Sequence, residues 1–144
     1  MLSREVLISS RKSIAVRLLP SQDLKLALEA ICVEHELLAA AIVSAVGSLN
    51  GAVLRTGSGA FKQMDGPLEI VSLSGILSTN GIHVHTSVAT ESGETFGGHL
   101  LYGCIINTTV EIVIQNLSDE FVFDRIYDAQ TGYKELSIRK TVDS

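Results

Sequence analysis

The sequence lacks tryptophan, and aromatic residues make up only 5% of its 144 residues. A hydrophobic core must therefore be built from leucine, isoleucine, valine and alanine, of which the β-branched isoleucine and valine pack well on pleated sheets. No uninterrupted apolar run approaches the ~20 residues that cross a bilayer. Residues 1–13 contain no apolar segment of the signal-peptide type. We therefore expect a cytoplasmic protein that does not associate with membranes.

Positive charge is also scarce, because 11 lysines and arginines face 16 aspartates and glutamates, for a formal net charge of −5 at pH 7. The basic residues are scattered, and neither Arg11 with Lys12 nor Arg139 with Lys140 extends into a stripe. Excess negative charge weakens nonspecific attachment to the phosphates of nucleic acids and anionic membranes. Charge alone therefore predicts no DNA-binding surface.

Several residues and motifs with recognisable chemistry are isolated or missing. Cys32 and Cys104 are far apart and belong to no Cys-x-x-Cys motif, so we interpret them as buried, reduced thiols, with a disulfide as the alternative. The chain has no Gly-x-Gly-x-x-Gly, no phosphate-binding Gly-x-x-x-x-Gly-Lys-Ser/Thr and no Gly-x-Ser-x-Gly. These absences exclude dinucleotide-binding, P-loop and α/β-hydrolase functions of the usual kind.

The composition that is present describes a single folded domain over residues 1–144. Hydrophobic residues make up 46% of the chain and charged residues 19%, as in ordinary globular proteins. A mean hydropathy of +0.33 is high for a small chain. Because a small domain has little interior in which to bury apolar side chains, this value favours a homo-oligomer whose subunits cover apolar surface.

Hydrophobic periodicity predicts an α+β fold with one main helix and a mostly antiparallel sheet. Alternation over residues 14–18 predicts a strand that ends near Pro20. Helical spacing then predicts a helix over about residues 22–37, with Ser21 as N-cap and Asp23 in the first turn. Asn80 and Gly81 predict a tight hairpin turn, and residues 47–51 a glycine turn. Further strands are predicted at residues 40–46, 52–55, 60–63, 68–77, 82–90, 105–117 and 134–138.

Histidine is concentrated in one part of the chain, since His83, His85 and His99 fall within 17 consecutive residues. Residues two apart in a strand point to the same face, so His83 and His85 should project together. His99 follows the next turn, where the chain has doubled back, and can approach the same face. Three histidines with an open fourth position are typical of an accessible site for zinc or another divalent transition metal. The alternative is that His83 and His85 are an ordinary solvated pair.

Four further residues are candidates for ligand binding or for support of the histidines. Gly97 and Gly98 would let the backbone come close to a bound ion or ligand. Glu69 lies in a strand at a position in line with apolar ones, where it could orient a histidine, or it could simply end a strand in water. Arg55 could bind an anion or form an ordinary ion pair.

The histidine region and its surroundings resemble a known family. The resemblance rests on three segments: Gly81 to Ser87 (Gly-Ile-His-Val-His-Thr-Ser), Gly97-Gly98-His99-Leu100 and Thr109-Val110-Glu111-Ile112. Residues 46–55, 68–75 and 123–133 extend it over nearly the whole chain. The sequence is similar to the plants and prokaryotes conserved (PPC) domain, of the bacterial and archaeal single-domain type.

The resemblance implies a curved antiparallel sheet with a helix, assembled as a homotrimer, with the three histidines forming a metal site near a subunit interface. Prokaryotic members are commonly labelled DNA-binding because their plant relatives carry AT-hooks. This chain has no Arg-Gly-Arg-Pro hook, which together with its net charge counts against intrinsic DNA binding. In the plant proteins, the domain serves interaction and trimerisation.

Three functions remain open on these grounds. The first is a trimeric regulatory or interaction module, labelled DNA-binding by kinship, that binds a partner or small ligand; DNA is a possible partner that the charge supports only weakly. The second is a zinc-dependent enzyme of hydrolase or lyase type in which His83, His85 and His99 hold the metal and Glu69 assists. The third is a trimer interface at which the histidines make pH-sensitive contacts. We favour the first, since nothing in the sequence identifies a substrate.

Overall fold

The structure is a computed structural model that describes residues 4–9, for which only the backbone is considered, and residues 12–141. In these residues the chain forms one helix and eleven strands. In chain order they are β1 (Arg4–Ser9), β2 (Ser13–Leu18), α1 (Leu24–Glu34), β3 (Ala40–Leu49), β4 (Ala52–Arg55), β5 (Phe61–Met64), β6 (Leu68–Leu77), β7 (His83–Ala89), β8 (Thr95–Leu100), β9 (Ile106–Asn116), β10 (Phe121–Asp128) and β11 (Tyr133–Lys140).

Nine strands form one antiparallel sheet in the order β1-β2-β9-β3-β6-β7-β8-β4-β5. Strands β10 and β11 pair only with each other, as a separate antiparallel hairpin. The predicted architecture of a mostly antiparallel sheet with one main helix is therefore confirmed.

The hydrophobic core joins one face of the sheet to the apolar side of α1. The buried helix residues recur at helical spacing, and they are Leu24, Ala27, Leu28, Ile31 and Cys32. In β7, Val84, Thr86 and Val88 are buried while His83 and His85 are exposed. The buried Thr86 hydroxyl donates to the Ser72 carbonyl at 2.8 Å, which satisfies its hydrogen-bonding need inside the core. The period of two thus separates a core face from an outer face, and the histidines lie on the outer one.

The helix begins later and ends earlier than predicted. Its N-cap is Asp23, whose carboxylate accepts from the Leu26 N–H at 3.1 Å and from the Gly103 N–H at 2.7 Å. Ser21, the expected N-cap, instead has a φ of +73° and donates its own N–H to the Ile106 carbonyl. Asp23 therefore caps the helix with one carboxylate oxygen and binds the 101–104 loop with the other, and Ser21 takes neither role. Among the described residues, no helix is both long and apolar enough to cross a membrane.

Most predicted strands are confirmed, and β6 has the predicted bounds, but four segments differ. Strand β3 continues through Gly47, where a turn was expected. A Cβ at this position would lie 2.2 Å from the Thr109 carbonyl oxygen of β9, so β3 and β9 can pack this closely only because the residue is glycine. Strands β1, β8 and β10 were not predicted, although β8 contains the Gly97-Gly98 pair and His99.

Both cysteines are buried and free, as expected. Burial, followed by the charge of Glu29, raises the pKa of the Cys32 thiol to about 12, and burial also raises the pKa of Cys104. Because only the thiolate is nucleophilic, we expect Ellman's reagent at pH 8 to label neither thiol in the native protein and both in urea. Rapid labelling of the folded protein would contradict the buried placement.

Candidate metal centre

Three histidines from two neighbouring strands meet on the outer face of the sheet. His83 and His85 are two apart in β7 and both point away from the core. In β8, His99 is the cross-strand partner of His85, and directly paired residues share a face. The three side chains form a group, the histidine cluster, whose donor atoms all lie within 4.8 Å of one another. The expectation that His99 joins His83 and His85 is confirmed.

The geometry of the histidine cluster fits one transition-metal ion. The Nε2 atoms of His83 and His85 are 3.2 Å apart. A tetrahedral ion with bonds of about 2.0–2.1 Å places its donor nitrogens about 3.3 Å apart. The His99 ring stacks on His83 at a centroid distance of 4.7 Å and stands edge-on to His85 at 4.5 Å. These three imidazoles would hold the metal and leave further coordination positions facing solvent.

The electrostatic surroundings favour the metal-binding form of two of these rings. Burial, followed by the positive charge of Arg55, lowers the pKa of His99 to about 4. Burial, followed by the charge of Arg125, also lowers the pKa of His83. A histidine must be neutral to coordinate a metal. Both rings are therefore neutral at physiological pH and do not have to lose a proton first.

A cleft of about 590 Å³ opens beside the histidine cluster. Arg55 lines it and is the cross-strand partner of His99 in β4, so the structure brings this predicted residue to the site. Pairing of β7 with β8 ends at His85 and His99. Near that end lies a second cavity of about 210 Å³, lined by Lys25 of the helix as well as by Arg55, His83 and His99. The remaining cleft residues come from two loops and the hairpin, and they are Thr56, Gly57, Asn80, Gly81, Ile82, Arg125, Tyr133, Lys134 and Glu135.

The β10–β11 hairpin forms one wall of the cleft and is attached to the β6–β7 turn. The Asn80 side-chain amide donates to the Phe123 carbonyl at 3.0 Å and to the Asp124 carboxylate at 2.7 Å. The buried Ser78 hydroxyl also donates to the Phe123 carbonyl, at 3.0 Å. The predicted Asn-Gly turn therefore does more than reverse the chain, because its side chains hold the hairpin against the sheet.

Removing the Asn80 amide should loosen this wall. We expect Asn80→Ala to lower the free energy of unfolding by about 1–2 kcal/mol, since Phe123 and Asp124 lose a shared donor. Urea unfolding followed by circular dichroism at a fixed protein concentration measures the change. Gln130→Ala removes an exposed amide from the β10–β11 turn and serves as the control. Equal stability of the two variants would show that the Asn80 contacts do not hold the hairpin.

The structure does not bring Glu69 to the histidines. Glu69 is exposed and pairs with Ala89, whereas His85 pairs with Ser74 of the same strand. Five residues of extended chain separate Glu69 from Ser74, which corresponds to about 17 Å along β6. At that separation Glu69 cannot orient a histidine of the cluster.

Gly97 and Gly98, which were expected to let the backbone approach a bound ion or ligand, line neither the cleft nor the second cavity. A Cβ on Gly98 would lie 2.6 Å from the Arg55 carbonyl oxygen, and one on Gly97 would lie 3.3 Å from that of Thr86. Gly98 thus lets β8 approach β4 closely, and this approach brings His99 beside Arg55.

Four cleft residues of the hairpin were not singled out as site residues from the sequence: Arg125, Tyr133, Lys134 and Glu135. They lie more than 40 residues from His83 in the chain, and no local period connects them to it. The family resemblance of residues 123–133 was a signal for Arg125 and Tyr133, but it does not extend to Lys134 and Glu135.

Comparisons with known proteins agree with this fold. Residues 8–118 match the family model of the Plants and Prokaryotes Conserved (PCC) domain. A hypothetical protein from Salmonella cholerae-suis is 35% identical, with a TM-score of 0.88 over 95% of this chain and 100% of that chain. A metal-containing protein from Archaeoglobus fulgidus is 29% identical, with a TM-score of 0.76 over 95% and 98%. A candidate DNA-binding protein from Bacteroides thetaiotaomicron, at 23% identity and a TM-score of 0.82 over 94% and 98%, shares the fold.

A curated relative is the bifunctional protein GlmU of Synechococcus sp. (strain JA-3-3Ab), which is 45% identical over 130 residues. The match includes 90% of this chain and 21% of GlmU, so the chain spans about a fifth of that relative's length. The family model covers most of the chain and the Salmonella structure matches it nearly end to end. The chain therefore belongs to the Plants and Prokaryotes Conserved domain family, also abbreviated PPC.

Proposed function

We propose that this PPC-domain protein is a homotrimeric regulatory or interaction module that binds a small ligand at a three-histidine metal site. The observation that carries the proposal is the convergence of His83, His85 and His99 beside an open cleft. A site with three protein ligands and an open position is suited to binding a further molecule, whereas structural zinc sites are closed by four.

The proposed metal is zinc or another divalent transition metal. Imidazole ligands suit zinc, copper, nickel and iron, and no carboxylate belongs to the cluster found among the described residues, as a magnesium or calcium site would require. The name of the Archaeoglobus fulgidus relative as a metal-containing protein supports this proposal.

The direct test is the metal content of untagged protein. We expect elemental analysis to find about one transition-metal ion per chain. Chelator treatment should lower the melting temperature, and added zinc should restore it, because a ligand that binds only the folded state stabilises it. Protein that contains no metal and melts at the same temperature with zinc or chelator would overturn the proposal.

Exposed valines on three adjacent strands support the homotrimer. They lie in β3, β6 and β9, which are neighbours in the sheet, and they are Val43, Val46, Val71 and Val113. A soluble monomer rarely leaves such side chains exposed together in the middle of a sheet. Multi-angle light scattering should give three times the chain mass of 15.4 kDa. A monomeric mass would contradict the trimer.

We propose that the ligand is not DNA. The net charge of −5 opposes attachment to a polyanion. An electrophoretic shift assay at moderate salt, with and without zinc, should show no retarded duplex. A shift at low micromolar protein would overturn this part of the proposal.

A second candidate, a zinc-dependent hydrolase or lyase, is favoured by Glu135. Glu135 lines the cleft together with His83, and its negative charge acts on that ring, whereas Glu69 lies too far away to assist. A zinc ion would supply a Lewis acid and lower the pKa of water at the site. Hydrolysis of p-nitrophenyl acetate by the zinc-loaded protein, lost in Glu135→Gln, would favour the enzyme. Equal background rates in both proteins would favour the binding module.

A further inference from the structure

We propose that the cleft binds a small oxyanion, a carboxylate or a phosphate, between Arg55 and Arg125 and beside the histidine cluster. This inference rests on the proposed metal site and names the class of ligand that the site takes.

The first support is the charge of the cleft. Three cationic side chains line it, Arg55, Arg125 and Lys134, against one carboxylate, Glu135. The chain as a whole carries a net charge of −5. Positive charge thus exceeds negative charge along the cleft, and a metal ion held by the histidines would add to it. A concave cationic surface attracts anionic ligands and raises their local concentration.

The second support is that both guanidinium groups are available. Within residues 12–141, no carboxylate forms an ion pair with Arg55 or Arg125. By contrast, Arg139 lies 3.5 Å from the Asp124 carboxylate. An arginine that is held next to a site without a carboxylate partner can use its donors for a ligand instead.

The third support is that the fold holds each arginine in position. Arg55 pairs with His99 on one side and with Phe61 on the other, so its backbone is fixed within the sheet. The stem of Arg125 packs over Gly81, where a Cβ would lie only 3.1 Å from its Cγ. The Asn80 contacts fix the hairpin next to Arg125. The backbone that carries each of the two cations is therefore held in place beside the cleft.

The chemistry of these groups selects oxyanions. A guanidinium is planar and donates two parallel hydrogen bonds to a carboxylate or a phosphate. Both anions also offer oxygen atoms to a divalent metal. A neutral ligand of the same size would leave the guanidinium groups of Arg55 and Arg125 without an anionic partner. The shared chemistry is thus an oxyanion group, and the volume of about 590 Å³ leaves room for a larger molecule that carries it.

The experiment uses untagged protein loaded with one equivalent of Co²⁺, with free metal removed. Malonate and inorganic phosphate are titrated separately, and binding is followed by calorimetry and by the visible absorption of the bound Co²⁺. We expect at least one of the two anions to bind the wild type and to bind about 10–100-fold more weakly to Arg55→Gln and Arg125→Gln. Arg139→Gln makes the same change in charge outside the cleft and should bind like the wild type. All variants should retain the metal.

Each outcome decides between the two proposals. Malonate binding without phosphate binding identifies a carboxylate ligand, and the reverse identifies a phosphate. Metal uptake with no anion binding, or with equal binding in all variants, overturns the oxyanion site and leaves the metal site standing. If the wild type takes up no metal, the proposed function fails, and the anions are then titrated into the metal-free protein. Binding that Arg55→Gln removes would still support the arginine site, and no binding would overturn it as well.

Discussion

His99→Ala is expected to weaken metal binding more than about 100-fold, a larger loss than the 10–100-fold that typically follows removal of a supporting contact. His99 contributes one of the three donor atoms of the cluster and is the only one of the three that comes from β8. Without it, two imidazoles of one strand remain. Two protein ligands at a site exposed to water bind the ion weakly, because its hydration in bulk solvent is then nearly as favourable. The alanine keeps the strand, since β8 pairs through its backbone.

The matched control is His35→Ala, which removes the fourth histidine. His35 is the C-cap of α1 and lies outside the cluster. Zinc affinity is measured by competition with a chromophoric chelator, and circular dichroism confirms that both variants fold. Wild-type affinity in His99→Ala would place the metal elsewhere and would overturn the three-histidine site. A loss in His35→Ala equal to that in His99→Ala would do the same.

Gly98→Ala is expected to destabilise the protein and to weaken metal binding together. The added methyl group would lie 2.6 Å from the Arg55 carbonyl oxygen and 3.3 Å from the Leu54 Cβ. Since the nearest atom belongs to backbone, no side chain can rotate away, and β8 must move from β4. Forcing extra volume into a packed position costs about 1–3 kcal/mol. The movement also displaces His99, the next residue in β8, from its place opposite His85.

Gly97→Ala is the matched control, since it adds the same methyl group one residue earlier. Its Cβ would lie 3.3 Å from the Thr86 carbonyl oxygen and 3.6 Å from the Ser87 Cβ, a contact that a small adjustment relieves. We expect its stability to remain within about 1 kcal/mol of the wild type, because the loss of glycine's unfolded-state freedom offsets the tight contact. Urea unfolding and zinc competition measure both variants. Equal behaviour of the two would show that close approach of β8 to β4 does not build the site.

The sequence predicted the core of the site because the shared face of His83 and His85 depends only on the local geometry of one strand. His83 and His85 share a face through the two-residue period of a strand, whatever that strand pairs with. The period also predicted the strand itself, and the Asn80-Gly81 turn predicted that it pairs back on β6.

The expected position of Glu69 beside the histidines was wrong, although the hairpin in the sequence already indicated a different position. A two-residue turn at Asn80-Gly81 would pair Ser78 with His83, whereas the structure pairs Ile76 with His83. Counting back along β6 from either pair places Glu69 at or beyond the end of β7, far from His83. The predicted role of Glu69 came from its strand pattern alone, without that register.

By itself, the sequence determined the place and type of most elements, the outward face shared by His83 and His85, and the scarcity of positive charge. These depend on composition and on periods a few residues long. Only the tertiary structure decided that His99 lies opposite His85, that Arg55 lies beside it, and that the β10–β11 hairpin brings Arg125 and Glu135 to the cleft. Those placements depend on close strand contact at Gly98 and on docking of the hairpin through Asn80, which join segments distant in the chain. No local pattern encodes a contact of that kind, because its energy arises only after the sheet has formed.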